Sequence, residues 1–413
     1  MIVGVVATRL AGTDGVSLES AKLTAVLERR GHRVVHCAGA LGPGLHGTVV
    51  PAMHFEDPVA ADHVHRAFGT GENAPDPALA AEIEEHAGEL SHHLRSFLDD
   101  FAVDMVIVQQ ALALPMHLSL GVALTRVITE RGLPTLAHHH DFGWERERFA
   151  TSTVPGVVDE CFPPVLPNVT HAVINSIARR ELAARQGVDS ILLPNVFDFA
   201  TPPPGIDDFN RDFRQAVGVA PDDLLVLQPT RVVPRKRIDL AIELAARIDA
   251  AGVKLVIPHD AGDEGMEYLA ELRGLAERAG VDLLHIADRV AAARAVAPDG
   301  TKTFALWDVY PHADFVTYPS EIEGFGNALL ETVYFEKPAL VNRYPVYDAD
   351  IGPLGFRFVE CRGEITDAVV EAVEAALASP ALVREMTEHN YGLGAEHFSL
   401  EALERILAAA LPI

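Results

Sequence analysis

The chain reads as an α/β protein built from two Rossmann-like, doubly wound domains facing a central cleft. Three observations predict this. Short apolar runs alternate with helical patterns along all 413 residues, as parallel sheets covered by helices require. The runs are continuous, as in Ile2–Thr8 and Val103–Gln109, which marks strands buried on both faces. A proline-rich break, Asn195-Val-Phe-Asp-Phe-Ala-Thr-Pro-Pro-Pro-Gly205, interrupts both periodicities near the middle and reads as a stiff linker. The expected division is 1–195, a linker at 196–205, 206–385, and a helical segment at 386–413.

Composition narrows the function. With 49% hydrophobic and 22% charged residues, the chain is of ordinary globular type. A formal charge of −26 argues against binding nucleic acid and against docking to anionic lipid. No apolar run approaches the roughly 20 residues of a membrane span, and no basic leader precedes the first strand. Cys37, Cys161 and Cys361 are far apart and read as buried thiols in a reducing cytoplasm.

The first half opens with the Ile2–Thr8 strand, the loop Gly12-Thr-Asp-Gly15, a helix over Ser17–Arg30 and a strand at Arg33–Cys37, a β-loop-α-β unit. A helix over 75–101, the Val103–Gln109 strand and a helix at Leu118–Arg131 follow. The short strand Pro134–Ala137 then delivers His138-His-His-Asp141-Phe-Gly-Trp-Glu-Arg-Glu-Arg148. Strand ends are where ligands gather in open α/β sheets, and alternation puts His138 and His140 on one face. Three readings compete: a metal site with Asp141, imidazoles satisfied by backbone groups, and substrate binding. Neighbouring histidines cannot all turn to one ion. Arg146 and Arg148 either meet an anionic group on a substrate or pair with Glu145 and Glu147 on a solvated helix. Strands at His171–Asn175 and Ile191–Pro194 flank a helix at Ile177–Gln186.

The second half repeats the plan. The Leu224–Gln228 strand leads into Thr230-Arg231-Val-Val-Pro-Arg235-Lys236-Arg237 and a helix at Ile238–Ala251. In so acidic a chain, four cations at a helix start suit a phosphate better than a solvated face. Strands at Lys254–Pro258 and Val281–Ile286 bracket a helix at Glu264–Ala279. Asp314–Ser320 then enters Glu323-Gly-Phe-Gly-Asn-Ala-Leu-Leu-Glu331: strand, glycine turn, helix. A helix starting near Gly326 aims N–H groups and its positive dipole end into the turn. Two carboxylates on the order of 12 Å apart suit a diphosphate with hydroxyl-rich rings at both ends. Asp348-Ala-Asp350 follows no strand directly and reads as a coincidence in a loop. A strand at Phe356–Cys361 and helices at Glu364–Ala378, Ala381–Tyr391 and Leu400–Ala410 complete the chain.

The E-x7-E element after a strand and glycine-rich turn resembles the signature of retaining GT-B glycosyltransferases, in particular glycosyltransferase family 4. The resemblance covers nearly the whole chain, with its specific motifs in the second half. It implies that Glu323 meets donor-sugar hydroxyls, Glu331 the nucleotide ribose, and Gly324, Phe325, Gly326 and Asn327 the phosphates. Arg231 and Lys236 keep the spacing of the family's G-R-x4-K-G element and would bind the diphosphate. Thr230 and Arg237 replace its glycines, which puts the loop's shape in question. Pro194-Asn195 with Asp198 is similar to the family's P-N-G-x-D, with Val196 in place of the glycine. The resemblance also implies a histidine beside the transferred sugar, best matched by His140 and next by His139. Gly15, Asp141 and Arg146 would face the acceptor or a phosphate.

The expected reaction moves a hexosyl group from a nucleotide-diphosphate sugar to a small soluble acceptor, phosphorylated or not, with no cofactor and no metal. The first domain would take the acceptor and the second the donor, with the C-terminal helix packing back on the first. Ala-His-His-His-Asp-Phe with Tyr-Pro-Ser-x-x-Glu-Gly-Phe-Gly-Asn is similar to a branch that includes mannosylglucosyl-phosphoglycerate synthases, implying GDP-mannose; UDP-glucose is the rival donor. A sugar-nucleotide epimerase, or a non-catalytic nucleotide-sugar binder on the same fold, is the alternative.

Overall fold

In the computed structural model, residues 1–12, 14–69, 71 and 74–411 are described, except for the side chains of 263–265. The chain forms two compact units. One comprises Met1–Asn195 with the chain from Leu403 onward, the other Val196–Ala402.

The first unit holds a parallel sheet of β1 (Ile2–Val6), β2 (Arg33–Ala38), β3 (Gly47–Val49), β4 (Met105–Gln109), β5 (Thr135–His139), β6 (Val169–Val173) and β7 (Ser190–Leu192). Their spatial order is β3-β2-β1-β4-β5-β6-β7. The helices are α1 (Gly15–Arg29), α2 (Pro58–Val64), α3 (Pro77–Phe101), α4 (Leu118–Arg131), α5 (Pro155–Cys161) and α6 (Ser176–Gln186). Leu79, Ile83, Leu90, Leu94 and Phe97 of α3 pack with Leu120, Leu124 and Ile128 of α4 against the sheet. The histidine run extends β5 by two residues beyond the expected strand, so His138 and His139 lie inside the sheet.

The second unit repeats the winding. After α7 (Phe213–Ala216) come β8 (Leu224–Leu227), α8 (Ile238–Arg247), β9 (Val253–Ile257), α9 (Gly262–Ala279) and β10 (Asp282–His285). Three short strands follow: β11 (Val290–Ala291), β12 (Ala295–Val296) and β13 (Lys302–Ala305). They form a sheet of their own, too short to leave a periodic trace in the sequence. The unit continues with α10 (Leu306–Val309), β14 (Phe315–Tyr318), α11 (Asn327–Tyr334), β15 (Ala339–Asn342), β16 (Val359–Cys361), α12 (Asp367–Ala378), α13 (Pro380–His397) and α14 (Leu400–Ala410). Its main sheet runs β10-β9-β8-β14-β15-β16. Ile238, Leu240, Ala241, Ile242, Leu244 and Ala245 of α8 are buried against it.

The proline-rich segment opens with Phe197 and Phe199, both buried and packed on Tyr334 at ring distances of 4.6 and 6.0 Å. Helix α13 continues six residues beyond the expected Tyr391, through two glycines. Gly394 has a packing reason: a Cβ there would meet Phe199 at 2.6 Å.

In each of the two main sheets the winding reverses direction between the first strand and the fourth, β1/β4 and β8/β14. Ligands of doubly wound sheets collect beyond the C-terminal ends of the strands at such a point.

Candidate active site

At the β8/β14 reversal, two loops are stitched together by charge. Buried Thr317 donates to Gln228 Oε1 at 2.7 Å, and Gln228 Nε2 donates to Thr230 Oγ1 at 2.7 Å. Thr230, where the family motif has glycine, thus uses its hydroxyl to tie the loop to β14. Pro234–Lys236 make one 3-10 turn. Arg237 then takes φ 46°, ψ 46°, the left-handed conformation that suits glycine. The arginine is held there by Asp239, with Arg237 Nη2 at 2.9 Å from Oδ2. The backbone here has the geometry that a glycine would take.

This turn drives Lys236 inward, 7% exposed, where its ammonium pairs with Glu323. Arg235 Nη1 lies 3.7 Å from the same carboxylate and donates to Ile322 O at 3.1 Å, and Glu321 N donates to Arg235 O at 2.9 Å. Burial is the largest influence on Glu323 and would raise its pKa. The charge of Lys236 and its hydrogen bond to the carboxylate outweigh it and hold the carboxyl below its ordinary value. Burial likewise pushes Lys236 down; Glu323 opposes this, while the charges of Arg235 and Arg231 add to it. Arg231 is exposed, and its charge reaches both Lys236 and His259.

The glycine turn is locked from below. Gly326 has φ 131°, and a Cβ there would meet Tyr344 Oη at 2.6 Å and Tyr318 Oη at 3.3 Å. Tyr344 donates to Phe325 O at 2.7 Å, and the Phe325 ring is buried edge-on to Phe398, 5.2 Å between centroids. Phe325 therefore anchors the turn. Helix α11 starts directly after Gly326, which offers no side-chain cap. Glu331, on the first turns of α11, receives a hydrogen bond from Tyr310 Oη at 3.1 Å. Asp348 pairs with Arg343 and lies 3.6 Å from Arg362.

In the first unit, Gly15 is the first residue of α1. Asp14 caps that helix, accepting from Ser17 N at 3.1 Å, Ser17 Oγ at 2.8 Å and Arg9 Nη2 at 3.1 Å. Thr13 of the same loop lies outside the described residues.

The histidine run divides by burial. His138 and His139 are 4% and 1% exposed. His139 Nε2 sits 2.8 Å from His171 Nδ1, with the rings stacked at 5.1 Å, and Phe142 closes over it at 4.9 Å. His140 is half-buried, its ring 4.5 Å from that of His138, so the two do share a face. His140 is the one of the three that reaches solvent. Burial holds all three imidazoles neutral, His138 down at about 4 and the others well below their ordinary value.

Asp141 is engaged by Arg146, whose Nε donates to Oδ2 at 2.8 Å, and by Gln110. Arg146 therefore pairs with Asp141, five residues back, rather than with Glu145 or Glu147. Glu145 instead accepts from Phe142 N at 2.9 Å. Among the described residues no group of three or more His, Cys, Asp or Glu side chains is placed to hold a metal ion. Sequence reasoning missed Gln109, Gln110, Tyr310, Tyr318 and Tyr344. The glutamines alone left a signal, as polar residues ending an apolar run.

No family model matches the chain. It is 35% identical to the mannosylglucosylglycerate synthase of Thermotoga maritima over 96% of both chains. It is 33% identical to the mannosylglucosylglycerate synthase of Petrotoga mobilis, over 87% of this chain and 86% of that one. Among solved structures, Anabaena HepE in complex with UDP and glucose superposes with a TM-score of 0.67 over 98% of both chains, at 13% identity, a likeness of fold.

Proposed function

We infer the reaction from kinship: the chain belongs to the family of glycosyltransferases that contains the mannosylglucosylglycerate synthases, and its fold is GT-B. Membership sets aside the epimerase and the non-catalytic binder. The proposed reaction moves a mannosyl group from GDP-mannose to a glucosylated glycerate, with retention at the anomeric carbon. UDP-glucose is the rival donor. The two relatives above are named for glycerate without phosphate, which favours a carboxylate acceptor over a phosphorylated one.

The observation that carries this reading is the buried Lys236–Glu323 pair at the β8/β14 reversal, with Arg231 beside it. A nucleotide diphosphate needs fixed cations next to a hydroxyl-binding carboxylate, and this pair supplies both. Arg231, Lys236 and the start of α11 would hold the diphosphate. Glu323 would bind sugar hydroxyls, Glu331 the ribose, and His140 a hydroxyl of the transferred sugar. Asp141, Arg146 and the Gly15 loop are assigned to the acceptor. The bond from the anomeric carbon to the diphosphate oxygen breaks, and the acceptor oxygen bonds to the same face. The acceptor proton passes to the departing diphosphate, whose charge the two cations offset without a metal.

The test is a melting panel with UDP, GDP and ADP and their sugars, followed by product analysis with glucosylglycerate in a chelator. GDP-mannose should raise the melting temperature and yield a retained mannoside. If no nucleotide shifts the wild type, or if Glu331→Ala binds donor equally well, the donor assignment fails.

A further inference from the structure

Two glutamines at the end of β4, beside the β1/β4 reversal, grip the turn that carries His140. Gln110 has φ 64°, a left-handed conformation that a non-glycine residue keeps only when its surroundings enforce it. Its side chain shows the enforcement. Oε1 accepts from His140 N at 2.7 Å and from Asp141 N at 3.4 Å; Nε2 donates to Asp141 O at 2.8 Å and to the Asp141 carboxylate. One carboxamide thus closes both ends of the peptide that bears His140.

Gln109 addresses the ring. It is 1% exposed, lies opposite His138 in the β4–β5 register, and places Oε1 3.1 Å from His140 Nε2. With the carboxamide oxygen turned to the ring, which it can only accept from, Nε2 carries the proton, and Gln109 Nε2 is left without a partner. With the imidazole neutral, Nδ1 is left with a lone pair. A hydrogen bond at one ring nitrogen commonly chooses a histidine's tautomer in this way.

We propose that Gln109 and Gln110 are positioning residues for His140: Gln110 fixes the backbone of the turn, and Gln109 fixes the ring with Nδ1 free to accept from a sugar hydroxyl. The inference rests on the reading of His140 as the sugar-facing histidine. It deepens that reading by stating which nitrogen does the work and what sets it.

The experiment uses the full chain labelled with 15N-histidine, with His140 assigned from the signals lost in His140→Asn. Long-range 1H–15N spectra of the wild type should show one tautomer at His140, protonated on Nε2. Gln109→Met keeps length and burial but removes the acceptor. It should mix the tautomers and lower kcat about tenfold, the worth of one fixed hydrogen bond, with a smaller change in donor KM. In the His140→Asn background the same substitution should cost nothing further. Gln110→Gly, which tolerates the positive φ, should lower kcat and broaden the His140 signals.

A wild-type proton on Nδ1, or a Gln109→Met loss that repeats undiminished in the His140→Asn background, overturns the proposal. If His140→Asn transfers at the wild-type rate, the sugar-facing reading fails instead, and the ring spectra still decide whether Gln109 sets the tautomer. Should Gln109→Met not fold, Gln109→Glu keeps the acceptor and adds a charge. It must then raise the pH at which His140 protonates, and no rise also overturns the proposal.

Discussion

The two units wind their main sheets in the same strand sense and gather polar residues beside the reversal between first and fourth strand, yet they fill these places with opposite chemistry. In the second unit the loops after β8 and β14 are joined by a buried ion pair, Lys236 with Glu323. In the first, the loops after β4 and β5 are joined by neutral carboxamides and imidazoles, Gln109 and Gln110 with His140. The difference teaches what each place is prepared to meet. A buried charge pair keeps its ions only where both partners stay, so it is suited to a charged ligand that can share the cation. A neutral network with a fixed tautomer is suited to hydroxyls, which need direction more than charge.

The sharpest way to break this contrast is acid, and it carries the largest expected effect. Burial lowers His117, His138 and His171 of the first unit to about 4, and His36, His63, His139 and His140 are also lowered. In the second unit, His259 is at about 4 and His312 is lowered. A histidine whose folded pKa is depressed binds protons more readily when unfolded. The stability it contributes is therefore whole above about pH 6.5 and falls as the pH drops toward about 4. At pH 5 each of His117, His138 and His171 costs on the order of 2 kcal/mol. Glu323, depressed below its ordinary value, keeps its share until the pH falls through the acidic carboxylate range. Hydrogen exchange between pH 7 and 5 should show the first unit opening before the second. Equal opening would mean that the neutral network is no special liability.

Lys236→Met attacks the other side of the contrast. It strands a buried carboxylate, which costs about 3–5 kcal/mol, and removes a diphosphate cation, which should lower transfer about 10²–10³-fold. The pair replacement Lys236→Met with Glu323→Leu should recover most of the melting temperature and none of the transfer. If transfer returns too, the pair is structural and the donor site lies elsewhere. Gly326→Ala ranks next. Its methyl would press on the Tyr344 hydroxyl at 2.6 Å from a backbone at φ 131°, a strain of about 1–3 kcal/mol. The turn must shift, so donor affinity, read by melting with nucleotide, should fall more than stability does.

What was legible follows the same line. Charged motifs are visible in one dimension because their spacing is set by a single loop and helix: Arg231 to Lys236, Glu323 to Glu331. The alternation of apolar runs likewise exposed both sheets. The neutral site was half legible. The histidine run stood out, but which ring reaches solvent depended on β5 running to His139 and on His171 arriving from β6. Gln109 and Gln110 gain their meaning from contacts with residues some thirty positions away, which no local pattern encodes. Tyr318 and Tyr344, which close the space around Gly326, sit in strand and loop and read only as core.

The smallest effect tests whether a motif's glycine can be replaced in kind. Arg237 occupies a position where the family pattern has glycine, and holds φ 46° through its pair with Asp239. Arg237→Gly removes a left-handed strain of about 1–2 kcal/mol. Against that, it adds about 0.5–1 kcal/mol of unfolded-chain entropy and gives up a half-exposed ion pair worth at most about 1 kcal/mol. The sum is near zero, so melting temperature and donor affinity should both stay close to wild type. Arg237→Ala keeps the strain and loses the pair, and should melt below both. If alanine matches arginine while glycine falls, the left-handed turn is not what the loop requires, and Lys236 owes its inward course to the Glu323 charge alone.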